Sequence, residues 1–228
     1  MVKLLALDTA TEACSAAVLA DGDVLERYEL APRRHAVLIL PMIEDVLADA
    51  GLVVAQLDAI AVGRGPGAFT GARIAVGIAQ GIAFAADLPV VPVSTLAALA
   101  LGVARETKNI TGIAVALDAR MGEVYWGTYA VAGGTVERVG EERVCAPEVA
   151  TVPPGEWFGA GSGWSRYPAV LSRRLAVGGW QGERYPRAGD VARLAADPRR
   201  LGEWVAAERA LPVYLRNEVV SRPDVTSR

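Results

Sequence analysis

"LALDTATEACSAAVLADGDVLER", residues 5–27, is followed far down the chain by "VALDARMGEVYWGTYAVAGGTVER", residues 115–138. Each begins with an apolar run that stops at an aspartate, Asp8 in one and Asp118 in the other. Each continues through a short polar turn into two alternating stretches joined by a glycine-centred hairpin and closes on Glu-Arg. The aspartates are offset by 110 residues and the Glu-Arg pairs by 111, which predicts one inserted residue in the second hairpin turn. Self-similarity of this length reads as an internal duplication. Its unit opens with three antiparallel strands, the first two joined behind the aspartate and the next two at Asp21-Gly22, a strong hairpin signal.

After the first copy the chain alternates helices and strands. Apolar residues at 38, 39, 42, 43, 46 and 47 recur at helical spacing and predict a helix from His35 to about Ala50, stopped by Gly51. Pro41 inside that pattern predicts a kink or a first turn. "LDAIAVG" (57–63) predicts a strand, Thr70 to about Ala86 a second helix, "PVVPVS" a short strand, and Ser94 the cap of a third helix over 95–104. This is the pattern of a mixed sheet covered by helices, present twice. It predicts a two-lobed α/β chain with lobes 1–104 and 105–228, the second smaller and richer in loops. Helices at 188–198 and 201–210 and an extended segment, "LPVYLRNEV", complete the expectation.

Composition narrows the function. The 228 residues are 52% hydrophobic and 21% charged, with a formal net charge of −3, which argues against nucleic-acid binding through the overall field. The charge is uneven: residues 1–163 carry 11 Lys+Arg against 19 Asp+Glu, and residues 164–228 carry 12 against 7. Cys14 and Cys145 lie far apart in apolar settings, as in a reduced cytosolic protein. Asp8 and Glu12 interrupt the opening apolar run before it reaches signal-peptide length, and no uninterrupted run long enough to span a bilayer is expected. A single histidine, His35, leaves no set of histidines for a zinc site. Ser15 and Thr70 have no base placed beside them by any motif, so a hydrolase reading has little to stand on.

"VGRGPGAFTGARIAVGIAQGIAFA", residues 62–85, poses the central choice. It holds six glycines and passes from a strand through a turn into the second helix. A phosphate-binding loop needs a lysine that is missing here, and Pro66 removes an amide that an anion cradle would use. Within the helix, Gly77 and Gly81 each cost about 0.5–1 kcal/mol relative to alanine. Small residues at a spacing of four let another backbone come into contact. That backbone belongs either to the chain's own sheet and first helix or to another subunit. The candidate interface is Leu38, Met42 and Val46 on the outer arc of the first helix, with Arg73, Gly77 and Gly81 on the second.

The doubled strand-Asp-hairpin unit resembles the superfamily of actin, sugar kinases and Hsp70, two-lobed ATPases of RNase H-like fold (ASKHA). The phrases "LALDTATEACSAAV", "GRGPGAFTGARI", "VSTLAALA", "LDARMGEVYW" and "PVYLRN" further resemble the TsaB (YeaZ) family, from residue 3 to about 217. That family is the accessory subunit of the bacterial machinery that installs threonylcarbamoyl on adenosine 37 of tRNAs reading codons that begin with A. The resemblance implies a paralogue of the catalytic subunit TsaD that keeps the fold without the chemistry. It implies pairing with TsaD, pairing with itself when TsaD is absent, and a TsaE-type ATPase as third component. Contact with tRNA would be indirect, through the complex. A cytoplasmic location and no membrane are expected.

No catalytic residue and no metal are expected, because TsaD holds its metal through a histidine pair whereas "RHAVLILPMIEDVL" offers His35 alone. No cofactor is expected beyond a vestigial ATP or ADP cleft at Asp8, Thr9, Asp118 and Gly161. Glu12 replaces the glycine-bearing turn that would face a phosphate, and Glu123 follows Gly122 in the second copy. Asp8 and Asp118 are otherwise read as carboxylates that cap the turns behind them. Two other classes remain: an ATP-dependent small-molecule kinase or ATPase using the inter-lobe cleft, and a peptidase-like hydrolase using Ser15 or Thr70.

Overall fold

The computed structural model describes residues 2–200 and 203–216. Strands β1 (Leu4–Asp8), β2 (Ala13–Ala20), β3 (Asp23–Leu30), β4 (Ala59–Gly63) and β5 (Val90–Val93) form one sheet in the order β3-β2-β1-β4-β5. Strands β6 (Gly112–Arg120), β7 (Glu123–Ala132), β8 (Thr135–Arg138), β10 (Trp157–Ala160) and β11 (Val177–Gln181) form a second in the order β11-β10-β6-β7-β8, and β9 (Arg143–Cys145) pairs with β7 off that path. Reading β6 for β1 and β10 for β4, the two orders are the same. In both, the hairpin strands are antiparallel and the fourth and fifth run parallel to the first. The duplication seen in the sequence is therefore a duplication of topology, and the fold is the two-lobed actin-like plan.

The inserted residue expected in the second hairpin turn is absent. Both turns hold two residues at positive φ, Asp21-Gly22 and Gly133-Gly134, as the right-handed strand twist requires. The slip arises in the strands instead: Asp8 pairs with Ser15 but Asp118 with Val124, and the second hairpin has longer arms.

Helices α1 (His35–Asp49) and α2 (Phe69–Ala86) cover one face of the first sheet; their buried side chains join Leu5, Leu7, Ile60 and Val62 in one core. On the other face, α3 (Thr95–Glu106) and α6 (Ala188–Ala195) lie between the sheets in a core shared by Leu4, Ala6, Ile113 and Val115. Helices α4 (Ser162–Arg166) and α5 (Pro168–Arg174) back the far face of the second sheet around the buried Trp164. Ser94 caps α3 as its sequence predicts, accepting from the Ala97 N–H at 3.3 Å. The chain crosses between sheets after α3, and α6 later returns to pack on β1 and β2.

The structure bears on three local expectations. Pro41 sits within α1, neither at its start nor at its end. It is exposed, so the Val37 carbonyl it leaves without a helical partner lies on the solvent side. Residues 203–210 are not helical: Val205 bridges Val90 at the edge of β5, and only residues 207–209 make a 3-10 turn. Residues 201–202 of that expected helix, and 217–219 of the expected extended segment, lie outside the described residues. Finally, α2, at 18 residues, is by length and composition apolar enough to cross a bilayer, though Arg73 and Gln80 interrupt its apolar run. Its Ala72, Ala75, Val76, Ala79 and Ala83 are packed in the first core, as in the core helix of a globular lobe.

Candidate functional site

The glycines of residues 62–85 fall into two groups. Added Cβ atoms at Gly67 and Gly71 would collide with the carbonyl oxygens of Ala10 and Thr9, so the turn and the first residues of α2 lie directly on the β1–β2 turn. The Ala68 N–H donates to Ala10 O at 2.6 Å and the Thr9 hydroxyl to Gly71 O at 2.6 Å. Gly77 and Gly81 face the other way. Both are exposed, and nothing lies within 4 Å of an added Cβ at either. These helical glycines gain no packing from their own chain to offset their conformational cost.

The same face carries Arg73, stacked over the Phe69 ring at 3.4 Å and donating from Nε to the Tyr214 hydroxyl at 2.7 Å. Phe84 is 81% exposed beyond Gly81. On α1 the expected outer arc is corrected. Val46 is fully buried and Met42 is 8% exposed, both within the first core, while Leu38 is half-buried at its edge. The outward apolar residues of α1 are Val37, 73% exposed, and Leu40, 50% exposed. The apolar stripe of six residues is wide enough that spacing alone does not say which edge is innermost. His35, at the first turn of α1, is buried.

The turn from Gly63 to Ala68 is unsuited to an anion. Three of its amides are committed to the chain: Arg64 N–H to Val93 O at 2.8 Å, Gly65 N–H to Thr95 Oγ1 at 3.1 Å, and Ala68 N–H to Ala10 O. Pro66 has none to offer.

Between the lobes lies a cavity of about 510 Å3, walled by the β1–β2 turn, the β6–β7 turn, the start of α2 and the segment 213–216. Asp118 lines it, its Oδ1 accepting from Arg120 N–H at 3.0 Å, with Ser162 next to it. Gly161 stands behind, where an added Cβ would meet Ala116 O at 2.5 Å. Asp8 and Thr9 do not open onto the cleft. Asp8 is buried with Oδ1 accepting from Ala10 N–H at 2.8 Å and Oδ2 from the Thr95 hydroxyl at 3.2 Å, and burial pushes its carboxyl up to about 6. Both aspartates thus accept the amide two residues on, one duplicated cap in two lobes. Arg120 reaches from Asp118 to Glu12 at 3.1 Å, so an ion pair joins the two turns across the cleft.

Sequence reasoning reads the segment closing this cleft as extended but does not place it. Val213 N–H donates to Arg64 O at 2.9 Å, Tyr214 packs on Phe69 at 5.4 Å, and Arg216 binds Ala119 O at 3.1 Å and pairs with Glu123. The strap ties α2 to the second lobe, and nothing in its own periodicity announces it. Ser15, the candidate nucleophile, is fully buried and accepts from the Ala188 N–H at 2.9 Å, leaving no route for a substrate; Thr70 is exposed. Among the described residues no three His, Cys, Asp or Glu side chains stand close enough to share a metal ion.

Comparison with known proteins agrees with this architecture. Residues 26–157 match the family described as "TsaD: tRNA N6-adenosine threonylcarbamoyltransferase". The chain is 43% identical over 224 residues to the tRNA threonylcarbamoyladenosine biosynthesis protein TsaB of Escherichia coli, covering 96% of each. It is 42% identical to the TsaB protein of Haemophilus influenzae, covering 95% of this chain and 94% of the relative. The solved structure of YeaZ from Pseudomonas aeruginosa superposes with a TM-score of 0.88 at 49% identity, over 94% of this chain and all of that one. Near-complete coverage on both sides leaves no large segment unmatched: the chain belongs to the TsaB (YeaZ) family.

Proposed function

We propose that the chain is a non-catalytic subunit in the biosynthesis of threonylcarbamoyladenosine at position 37 of tRNA, holding a TsaD-type catalytic subunit on the outward face of α1 and α2. The observation that carries the reading is the likeness to E. coli TsaB across 96% of both chains. The surface supports it: Gly77 and Gly81 leave bare backbone outward on the helix that carries exposed Arg73 and Phe84, and α1 turns Val37 and Leu40 outward. An apolar centre with little charge and one arginine has the composition of an interface core. The same face would hold a second copy of the chain when the catalytic subunit is absent. A TsaE-type ATPase completes the assembly, which works in the cytoplasm. The committed amides of Arg64, Gly65 and Ala68 and the Glu12–Arg120 pair across the cleft support a chain that leaves the nucleotide chemistry to its partners.

The test is reconstitution. TsaD- and TsaE-type proteins from the same cell, with tRNA, threonylcarbamoyl-adenylate and ATP, should form the modified nucleoside only when this chain is added. Gly77→Leu should abolish that stimulation. Modification that proceeds equally well without the chain overturns the reading.

A further inference from the structure

We propose that the outer edge of the second lobe is an RNA-binding surface, gripping phosphates with Arg166 and Arg173 and stacking an unpaired base on Trp180. The 26 residues from Trp157 to Gly182 contain no aspartate or glutamate but include Arg166, Arg173 and Arg174, in a chain of net charge −3. That stretch builds β10, α4, α5 and β11, the last being the edge strand of its sheet.

Pairing alone does not set these arginines apart, since Arg33, Arg64, Arg73, Arg138 and Arg209 likewise have no carboxylate within ion-pair distance among the described residues; what sets them apart is the acid-free stretch they share. Arg27, Arg34, Arg105, Arg120, Arg184, Arg187, Arg193, Arg199 and Arg216 each have a carboxylate within ion-pair distance. Arg166 and Arg173 are exposed and have no such partner among the described residues. Arg174 and Arg143 bind only neutral groups, on residues 149–151: Arg174 donates to Ala150 O at 3.2 Å, and Arg143 to Val149 O at 3.2 Å and Thr151 Oγ1 at 3.2 Å. Glu148, Glu156 and Glu183 stand outside the acid-free stretch. A guanidinium kept free of carboxylates is available to a phosphate.

Trp180 supplies the second element. It is 40% exposed on β11, and its ring lies against the fully buried Trp164, with centroids 6.4 Å apart and planes at 21°. An exposed indole held by a buried one is a rigid platform for base stacking. Gly182 lies against Ser165, which puts neighbouring Arg166 beside the Trp180 end of β11. A free cation beside a fixed aromatic ring, with a second on the neighbouring helix α5, suits single-stranded or loop RNA. The choice of RNA over an acidic protein rests on the function proposed above.

The experiment uses the complex of this chain with its TsaD-type subunit and a labelled tRNA anticodon stem-loop, followed by fluorescence anisotropy across a salt series. Arg166→Ala with Arg173→Ala should weaken binding several-fold and flatten the log Kd against log salt slope by about 1.4–1.8, at roughly 0.7–0.9 for each phosphate no longer neutralised. Trp180→Ala should weaken binding about fivefold or more with the slope unchanged, and Trp180→Phe should keep most of it. Circular dichroism and co-elution with the catalytic subunit control for folding and assembly.

Unchanged affinity and slope in the arginine variant, or no loss in Trp180→Ala, overturns the proposal. Loss of a protein partner with RNA binding intact also overturns it, in favour of a protein-docking surface. A wild-type complex that modifies tRNA while the arginine variant keeps its KM for tRNA sinks this surface alone; a wild-type complex that modifies nothing sinks the proposed function instead.

Discussion

Replacing Gly77 and Gly81 together by alanine should stabilise the isolated chain. Neither added Cβ meets an atom within 4 Å, so each substitution removes the conformational cost of a helical glycine without a clash. At about 0.5–1 kcal/mol each, the pair gains about 1–2 kcal/mol. For a chain of this size that corresponds to a rise in Tm of about 2–8 °C. Gly71→Ala is the counter-experiment. Its Cβ would drive into Thr9 O, displacing the turn that holds the Thr9–Gly71 and Ala68–Ala10 hydrogen bonds. Overpacking of about 1–3 kcal/mol and weakened hydrogen bonds of about 0.5–1.5 kcal/mol each predict a loss of several kcal/mol. Urea unfolding by far-UV circular dichroism, at a concentration where light scattering reports a monomer, measures both. If the double alanine variant is less stable than wild type, or Gly71→Ala is neutral, the division of the glycines into inward and outward groups is wrong.

Two further predictions concern the buried cap and the strap. The Asp8 carboxyl is raised from 3.8 to about 6 by burial. The folded state therefore binds its proton more tightly than the unfolded one, and the stability this group contributes is full below about pH 4 and is lost as pH rises through 6. A shift of this size is worth about 3 kcal/mol at 1.36 per pH unit. Asp8→Asn should flatten the change in unfolding free energy between pH 4.5 and 7.5, whereas parallel wild-type and variant profiles would contradict the assignment. Tyr214→Ala removes the packing on Phe69 and the Arg73 hydrogen bond. It should speed limited proteolysis within 211–216 while leaving far-UV circular dichroism unchanged; an unaltered cleavage rate would show that the strap is held by other interactions.

What the sequence made legible follows from where its constraints are local. The two aspartates announce the repeated lobe because each caps its own turn two residues on. The small-residue face of α2 is legible because helical period alone places Arg73, Gly77 and Gly81 on one side. The first helix is harder, since six apolar positions span a wide arc and only the sheet beneath fixes Val46 and Met42 as inward. The extended run at Val205 and the strap from Val213 to Arg216 depend on partners more than ninety residues away in sequence, Val90, Arg64 and the β6–β7 turn among them. No local propensity encodes those pairings. The resemblance to two-lobed ATPases put Asp8 and Thr9 in a vestigial cleft, while the residues themselves read Asp8 as the cap of its own turn, which it is. Close packing of Gly67 and Gly71 on the turn buries both residues.

Titration calorimetry of the chain against its TsaD-type catalytic subunit, with wild type, Gly77→Leu and Trp180→Ala compared, tests the docking face most directly. The account predicts a 1:1 complex for wild type and for Trp180→Ala, which lies on the other lobe, and its loss for Gly77→Leu. Equal affinity in all three would place the partner elsewhere and leave the bare backbone of α2 without a role.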